Sequence, residues 1–304
     1  MEGVLVTGSH RSATTFVGRL LSTPRNVGYV HEPFNPKSGM RDVDQWFLYV
    51  HSEHPAESKY RALIRRLLNG SAAFRRRAVT DAQSPSQALG RLVFGSRKRL
   101  EYWWATWSPV VDQVLLKDPI ACLSSEWLHR SFDMPVIVMV RHPAAVVASA
   151  KRLGWSFDIA SWLDSQPELS SSLDDVLHPP PPYSTLVEEI SVLWKCLYST
   201  LRAYLSRNPD MMMVRHEDLC RSPIETFEKL YSYAGLCFDT AAVDQVRKHT
   251  QPSNTSLPAD HRSVRRNSHA LIKKWKTQLS DREIQIIHET TEDVASSFYD
   301  PGDW

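Results

Sequence analysis

The sequence predicts an α/β fold built on a mostly parallel central sheet flanked by helices, and three observations carry that expectation. Short apolar runs, several of them β-branched, recur at residues 3–6, 27–30, 114–116, 135–140 and 211–214. Segments with apolar residues at helical spacing lie between them. Strands that alternate with helices are joined by crossovers, which sets them side by side and parallel.

Residues 3–6 read as a short buried strand, 7–11 as a polar loop, and 13–22 as an amphipathic helix with Phe16, Val17, Leu20 and Leu21 on one face. A second strand follows at 27–30, then helices at 43–51 and 57–68. Residues 72–107 form a less regular stretch, basic and rich in tryptophan. The third strand, 114–116, ends in Lys117-Asp118-Pro119, with a helix at 124–132. Residues 135–140 are a continuous apolar run of the kind buried on both faces of a parallel sheet. The next helix, 143–152, opens on Pro143, whose missing N–H is no loss in a first turn. Residues 154–183 are irregular and contain four consecutive prolines, a stiff extended loop. A long helix at 186–205 aligns Ile190, Leu193, Leu197, Leu201 and Leu205. A strand at 211–214, a helix at 224–234 stopped by Gly235, and a polar, basic loop at 250–267 follow. The terminal helix, 280–298, has a capping box in Ser280 and Glu283.

The composition is globular, 42% hydrophobic and 23% charged, which argues against global disorder. No apolar run reaches the ~18 residues that cross a bilayer, and the first one is too short for a signal peptide. A soluble, cytoplasmic chain is therefore expected, with no nucleic-acid partner. Cys122, Cys196, Cys220 and Cys237 form no C-x-x-C pair and read as thiols in a reducing compartment. No H-E-x-x-H occurs among the twelve histidines, so no metal is expected. The net charge of +2 hides an asymmetry: residues 59–99 hold eleven basic side chains and one acid, Asp81. Such a block either holds an anionic partner or is a solvated helix face.

Two segments are built to bind anions. At Gly8-Ser9-His10-Arg11-Ser12-Ala13-Thr14-Thr15 a strand turns into a helix, which gathers free backbone N–H groups and the positive end of the helix dipole. The hydroxyls of Ser12, Thr14 and Thr15 and the Arg11 guanidinium add donors. It is not a Walker A loop, because Ala13 and Thr14 stand where Gly-Lys is needed. The alternative is an ordinary strand-to-helix turn with Ser12 as N-cap. The second segment runs from Arg141, at the end of a strand, to Ser149, two helical turns on. The two residues can share one phosphate, or Arg141 can pair with an acid. Ligands gather at the C-terminal edge of parallel sheets, which favours the first reading.

At these residues the sequence resembles the PAPS-dependent sulfotransferase family. Arg11-Ser-Ala-Thr-Thr15 is similar to its 5′-phosphosulfate loop, R-S-G-T-T. Arg141-His-Pro with Ser149 is similar to its 3′-phosphate motif. Val214-Arg-His-Glu-Asp-Leu219 with Pro223 resembles R-Y-E-D-L…P, and Leu116-Lys-Asp-Pro119 occurs in carbohydrate and tyrosyl-protein members. The motifs run in family order. The departures are Ala13 for Gly, from which no positive φ is expected there, His142 for Asp or Asn, and His216 for Tyr near the nucleotide.

The resemblance implies a P-loop-type three-layer core in one domain, 1–304, with insertions at 40–110 and 154–184 on the acceptor side. It implies 3′-phosphoadenosine 5′-phosphosulfate as donor, adenosine 3′,5′-bisphosphate as product, and a small-molecule or glycan acceptor hydroxyl. Residues 7–15 would bind the phosphosulfate, with Arg11 on the sulfuryl end, and Arg141 and Ser149 the 3′-phosphate. Arg265, Arg266 and Ser268, with Arg262, would close over the donor. Arg11 and Lys117 would be the catalytic cations and Glu32 the general base, with His31, His142 and Asp118 as fallbacks; Glu32 is alternatively a salt-bridge partner of Arg11 or Lys117. Competing readings are a P-loop small-molecule kinase and a non-catalytic polyanion-binding module. The basic block with Trp103, Trp104 and Trp107 suggests a sugar or other anionic acceptor, since aromatics stack on sugars and arginines hold carboxylates; equally, the tryptophans are core.

Overall fold

Strands β1 (Glu2–Gly8), β2 (Val27–His31), β3 (Gln113–Lys117), β4 (Val136–Val140) and β5 (Met212–Arg215) form one sheet in the order β2-β3-β1-β4-β5. The structure is a computed structural model, and it describes residues 1–75, 97–177, 182–251 and 272–304. The registered pairs β1–β3, β2–β3 and β4–β5 are all parallel, as the alternation of strands and helices requires. All five residues of β4 are buried. The helices are α1 (Thr14–Leu21), α2 (Glu57–Leu68), α3 (Arg97–Trp107), α4 (Ser125–Phe132), α5 (Pro143–Leu153), α6 (Ile159–Asp164), α7 (Pro167–Ser172), α8 (Leu186–Arg207), α9 (His216–Arg221), α10 (Pro223–Tyr233), α11 (Thr240–Thr250) and α12 (Asp281–Ala295). No described helix is long and apolar enough to cross a membrane.

The chain divides into two compact units, residues 1–7 with 17–136 and residues 8–16 with 137–304. In the first, α3 packs on β2, and Tyr102 on α3 is fully buried, its hydroxyl accepting from Ala72 N. In the second, α12 packs on α8. Lys195 reaches Asp293 at 3.0 Å, and Arg202 Nη1 donates to Asp293 O at 2.9 Å. The capping box at Ser280 and Glu283 is present.

Four segments differ from expectation. Residues 43–51 are turns, not a helix. Val43, Phe47, Leu48 and Val50 have helix-like spacing and are all buried, but Phe47 lies at φ 47, which no right-handed helix accommodates. The end of the irregular 72–107 stretch is the regular helix α3. Residues 154–183 contain α6 and α7, the first capped by the Asp158 side chain on Ser161 N. Helix α11 was not foreseen; it begins at an Asp239 cap and buries only Ala242 and Val246, too thin an apolar stripe to read.

Candidate active site

In the second unit the anion loop leaves β1 at Gly8, where φ is 132 and a Cβ would stand 2.2 Å from Met139 O, so only glycine fits. Ser12 Oγ donates to Ser9 O at 2.6 Å, so this hydroxyl shapes the loop. Tyr198 of α8 pins it from below: its hydroxyl accepts from Ser9 N at 3.1 Å and lies 2.8 Å from Met139 O. Arg11 and Ala13 are both at φ 71, on either side of Ser12. Alternation of this kind makes a nest, a backbone form whose successive N–H groups suit an anion. The positive φ at Ala13 corrects the expectation from its missing glycine. The loop keeps its shape although alanine is strained there. Ala13→Gly should therefore raise unfolding free energy by about 1 kcal/mol, read by urea titration.

Arg11 Nε donates to Ser149 Oγ at 2.9 Å, and Arg141 Nη1 donates to Arg11 O at 2.7 Å. The structure thus joins in one cluster the three residues expected at opposite ends of a donor. Trp194 Nε1 holds Arg141 O at 3.0 Å. Arg141 Nε is buried and has no hydrogen-bond partner among the described residues. Such a group is costly unless a ligand or water meets it, so the cluster fits a phosphate. Behind it Glu217 accepts from His142 N at 3.2 Å and from Tyr299 OH at 2.9 Å. Burial raises the Glu217 pKa, but His216 and Arg141 outweigh this and bring it down to about 2. His216 is buried beside Glu217 and Cys220. His142, one fallback base, stacks on Trp275 at 4.9 Å and meets Tyr299 and Trp304 edge-on, which leaves it 2% exposed. Its environment is aromatic packing.

In the first unit a second cluster forms where β2 and β3 end in register, His31 opposite Lys117. Glu32 N donates to Lys117 O at 2.8 Å, and Glu32 sits at φ 50, a strained value for a non-glycine residue. Its Oε1 meets Lys117 Nζ at 2.7 Å. Its Oε2 accepts from Asn35 Nδ2 at 3.1 Å and meets Lys98 Nζ at 3.4 Å. Burial pushes the Glu32 pKa up, but Lys117, His31 and Lys98 together hold it well below the usual carboxylate range. Lys117 is fully buried, and Gly18 of α1 lies against its stem, where a Cβ would come within 2.9 Å of Cγ. Asp118 accepts from Phe34 N at 2.6 Å and from Ile120 N at 2.9 Å. Both of its oxygens are spent on backbone N–H groups, which makes it structural; burial and the Glu32 charge raise its pKa to about 7 against the opposing pull of those two hydrogen bonds.

The structure therefore gathers Gly8, Ser9, Arg11, Ser12, Ala13, Arg141 and Ser149 in one cluster and Glu32 with Lys117 in another. His10 packs against Trp155 with the rings tilted and their centroids 5.2 Å apart, and Thr14 and Thr15 open α1. Arg262, Arg265, Arg266 and Ser268 lie outside the described residues, as does 76–96 of the basic block. Trp103 receives Arg99 at 4.4 Å over its ring, whereas Trp104 and Trp107 are exposed rather than core. Tyr198, Trp194 and Lys98 were missed: the first two lie on the helix expected at 186–205 but outside the apolar row that marks it, and the third is one charge in the basic block.

The sulfotransferase family model matches residues 3–240. Carbohydrate sulfotransferase 3 of Mus musculus is 28% identical over 162 residues, 51% of this chain and 31% of that protein. Carbohydrate sulfotransferase 1 of Danio rerio is 28% identical over 104 residues, 33% of this chain and 24% of that protein. The chain thus spans less than a third of the length of the curated relatives it matches. Among solved structures, the sulfotransferase domain from the curacin biosynthetic pathway superposes with a TM-score of 0.52 at 12% identity, covering 98% of this chain and 97% of that one. That likeness shows a shared fold.

Proposed function

The chain belongs to the sulfotransferase family, and from that membership we propose that it transfers a sulfuryl group from 3′-phosphoadenosine 5′-phosphosulfate to an acceptor hydroxyl of a carbohydrate. The observation that carries this reading is the Arg11–Ser149–Arg141 cluster with its orphaned Arg141 Nε. The carbohydrate class rests on the names of the relatives. The donor supplies an activated sulfur–oxygen bond, and transfer resembles phosphoryl transfer, loose and in line.

The chain's own residues do the rest. Arg141 and Ser149 hold the 3′-phosphate and Arg11 the sulfuryl end; binding there replaces the Arg11–Ser149 hydrogen bond. Glu32, held ionised, accepts the acceptor's proton late, as its partner oxygen becomes acidic. Neutralising Glu32 releases the Lys117 charge from its ion pair, which leaves that cation for the negative charge developing in transfer. Four free thiols, three of them buried, support a reducing, cytoplasmic setting, which cell fractionation tests.

Adenosine 3′,5′-bisphosphate in the presence of a chelator should raise the melting temperature by several degrees, as mass-action linkage requires at about 100 times Kd. A response to ATP–magnesium and none to the bisphosphate would instead support a kinase and end this reading.

A further inference from the structure

Glu32 is surrounded by donors, and one of them is itself held by a partner with no other evident task. Tyr29 and His31 alternate along β2 and face the same side. Tyr29 OH lies 2.9 Å from His31 Nδ1, and the other ring nitrogen, Nε2, lies 3.5 Å from Glu32 Oε1. The Arg19 guanidinium covers the Tyr29 ring at 4.0 Å and restricts it further. We propose that Tyr29 and His31 are positioning residues for Glu32: Tyr29 donates to His31 Nδ1, the single ring proton is thereby kept on Nε2, and Nε2–H, facing Glu32 Oε1 across 3.5 Å, favours one orientation of the carboxylate through a charge–dipole contact. This rests on Glu32 as the base.

The tautomer follows from elimination. Burial, followed by the charge of Lys117, brings the His31 pKa down to about 3, so the ring is neutral at working pH and carries one N–H. Were that proton on Nδ1, the Nε2 lone pair would face an ionised carboxylate oxygen. Tyr29 has a proton to give, and its own pKa is raised by burial, so it remains a phenol. The orientation matters because Glu32 sits at a strained φ of 50, and because its two Oε2 contacts, Asn35 at 3.1 Å and Lys98 at 3.4 Å, must yield if that oxygen is to meet a substrate, which leaves only the Oε1 side, Lys117 at 2.7 Å and His31 at 3.5 Å, to keep the carboxylate in place. Lys117 fixes one point of the carboxylate and cannot by itself fix its rotation. A second donor on Oε1 does so and leaves Oε2 as the oxygen that can change partners. Holding a catalytic group by such an outer contact is how sites reach the needed precision.

Two measurements test this. Nitrogen-15 shifts of the His31 ring in labelled protein at pH 7 should show protonated Nε2 and unprotonated Nδ1, and Tyr29→Phe should admit the other tautomer. In turnover with a carbohydrate acceptor, Tyr29→Phe should lower kcat about tenfold with unchanged affinity for adenosine 3′,5′-bisphosphate and unchanged melting temperature. His31→Gln presents an amide N–H that has no tautomer. In that background Tyr29→Phe should therefore cost nothing more. A ring proton on Nδ1, or an equal cost of Tyr29→Phe in both backgrounds, overturns the proposal. Full turnover in Glu32→Gln would remove the base assignment separately, because the nitrogen-15 measurement does not depend on it.

Discussion

Glu32→Gln should lower turnover by about 10²–10³ while leaving affinity for adenosine 3′,5′-bisphosphate at its wild-type level. The carboxylate is the only side chain of its cluster, among the described residues, that is both ionised and held at an oxygen able to change partners. Its low pKa is no obstacle to accepting a proton late: the acceptor oxygen becomes strongly acidic only as the sulfuryl group arrives, and proton transfer then follows bond formation. The ion pair predicts a second, separable effect. Folding depresses the Glu32 pKa, so the pair contributes stability above the unfolded carboxylate value of about 4.3 and loses it as pH falls through the lower folded value. Urea unfolding of the wild type should therefore weaken in acid, and this part of the weakening should vanish in Glu32→Gln. Glu32→Ala should be more destabilising than Glu32→Gln, by about 3–5 kcal/mol against the wild type, since the fully buried Lys117 ammonium then loses even the acceptor oxygen that a Gln amide keeps. Stopped-assay turnover, bisphosphate titration and unfolding curves separate the two effects. Wild-type turnover in Glu32→Gln would move the base elsewhere. His31 is then the next to test, since its neutral ring is free of a proton at one nitrogen.

The fold was legible because its strands are written in composition. Residues 135–140 can hardly be anything but a buried strand, and the capping box at Ser280 and Glu283 marks a helix start by a local chemical rule. What failed was whatever depended on tertiary context. The apolar spacing of residues 43–51 suits a helix, yet the side chains are buried from turns, with Phe47 forced into the left-handed region. The anion loop shows the same limit. An alanine in place of glycine argued for ordinary backbone at Ala13, whereas the loop is held by Tyr198 beneath Ser9 and by the Ser12 hydroxyl on Ser9 O, so the strain is imposed from outside. No local pattern announces a tyrosine 189 positions away. The sequence offers the pairing of Glu32 with Lys117 as the alternative to a catalytic role. The structure has that ion pair, and its geometry makes the two roles compatible, since an ion-paired carboxylate at neutral pH is also an unprotonated one.

Arg141→Lys should weaken adenosine 3′,5′-bisphosphate binding about 100-fold, the scale of the one charge-assisted hydrogen bond to phosphate that a lysine cannot make while it also holds Arg11 O. The argument turns on what a guanidinium does that an ammonium does not. Arg141 spends Nη1 on Arg11 O at 2.7 Å and keeps a buried Nε without a partner among the described residues. One planar group thereby fixes the loop carrying Arg11 and offers a further donor in a set direction. Lysine retains the charge but is a single point on a flexible stem; it can serve the carbonyl or a phosphate, not both in the same geometry. Ser149→Ala is the control for position. It removes the single hydroxyl that Ser149 turns from Arg11 Nε to the 3′-phosphate, so it should cost about tenfold, the low end for one hydrogen bond to a charged group. Calorimetric titration of both variants should also show that Arg141→Lys loses affinity for the bisphosphate more than for adenosine 5′-monophosphate, because the lost donor addresses the 3′-phosphate. Equal losses for the two nucleotides would mean that Arg141 acts only by shaping the loop. A wild-type Kd in Arg141→Lys, with melting temperature unchanged, would remove the phosphate site from the end of β4 altogether.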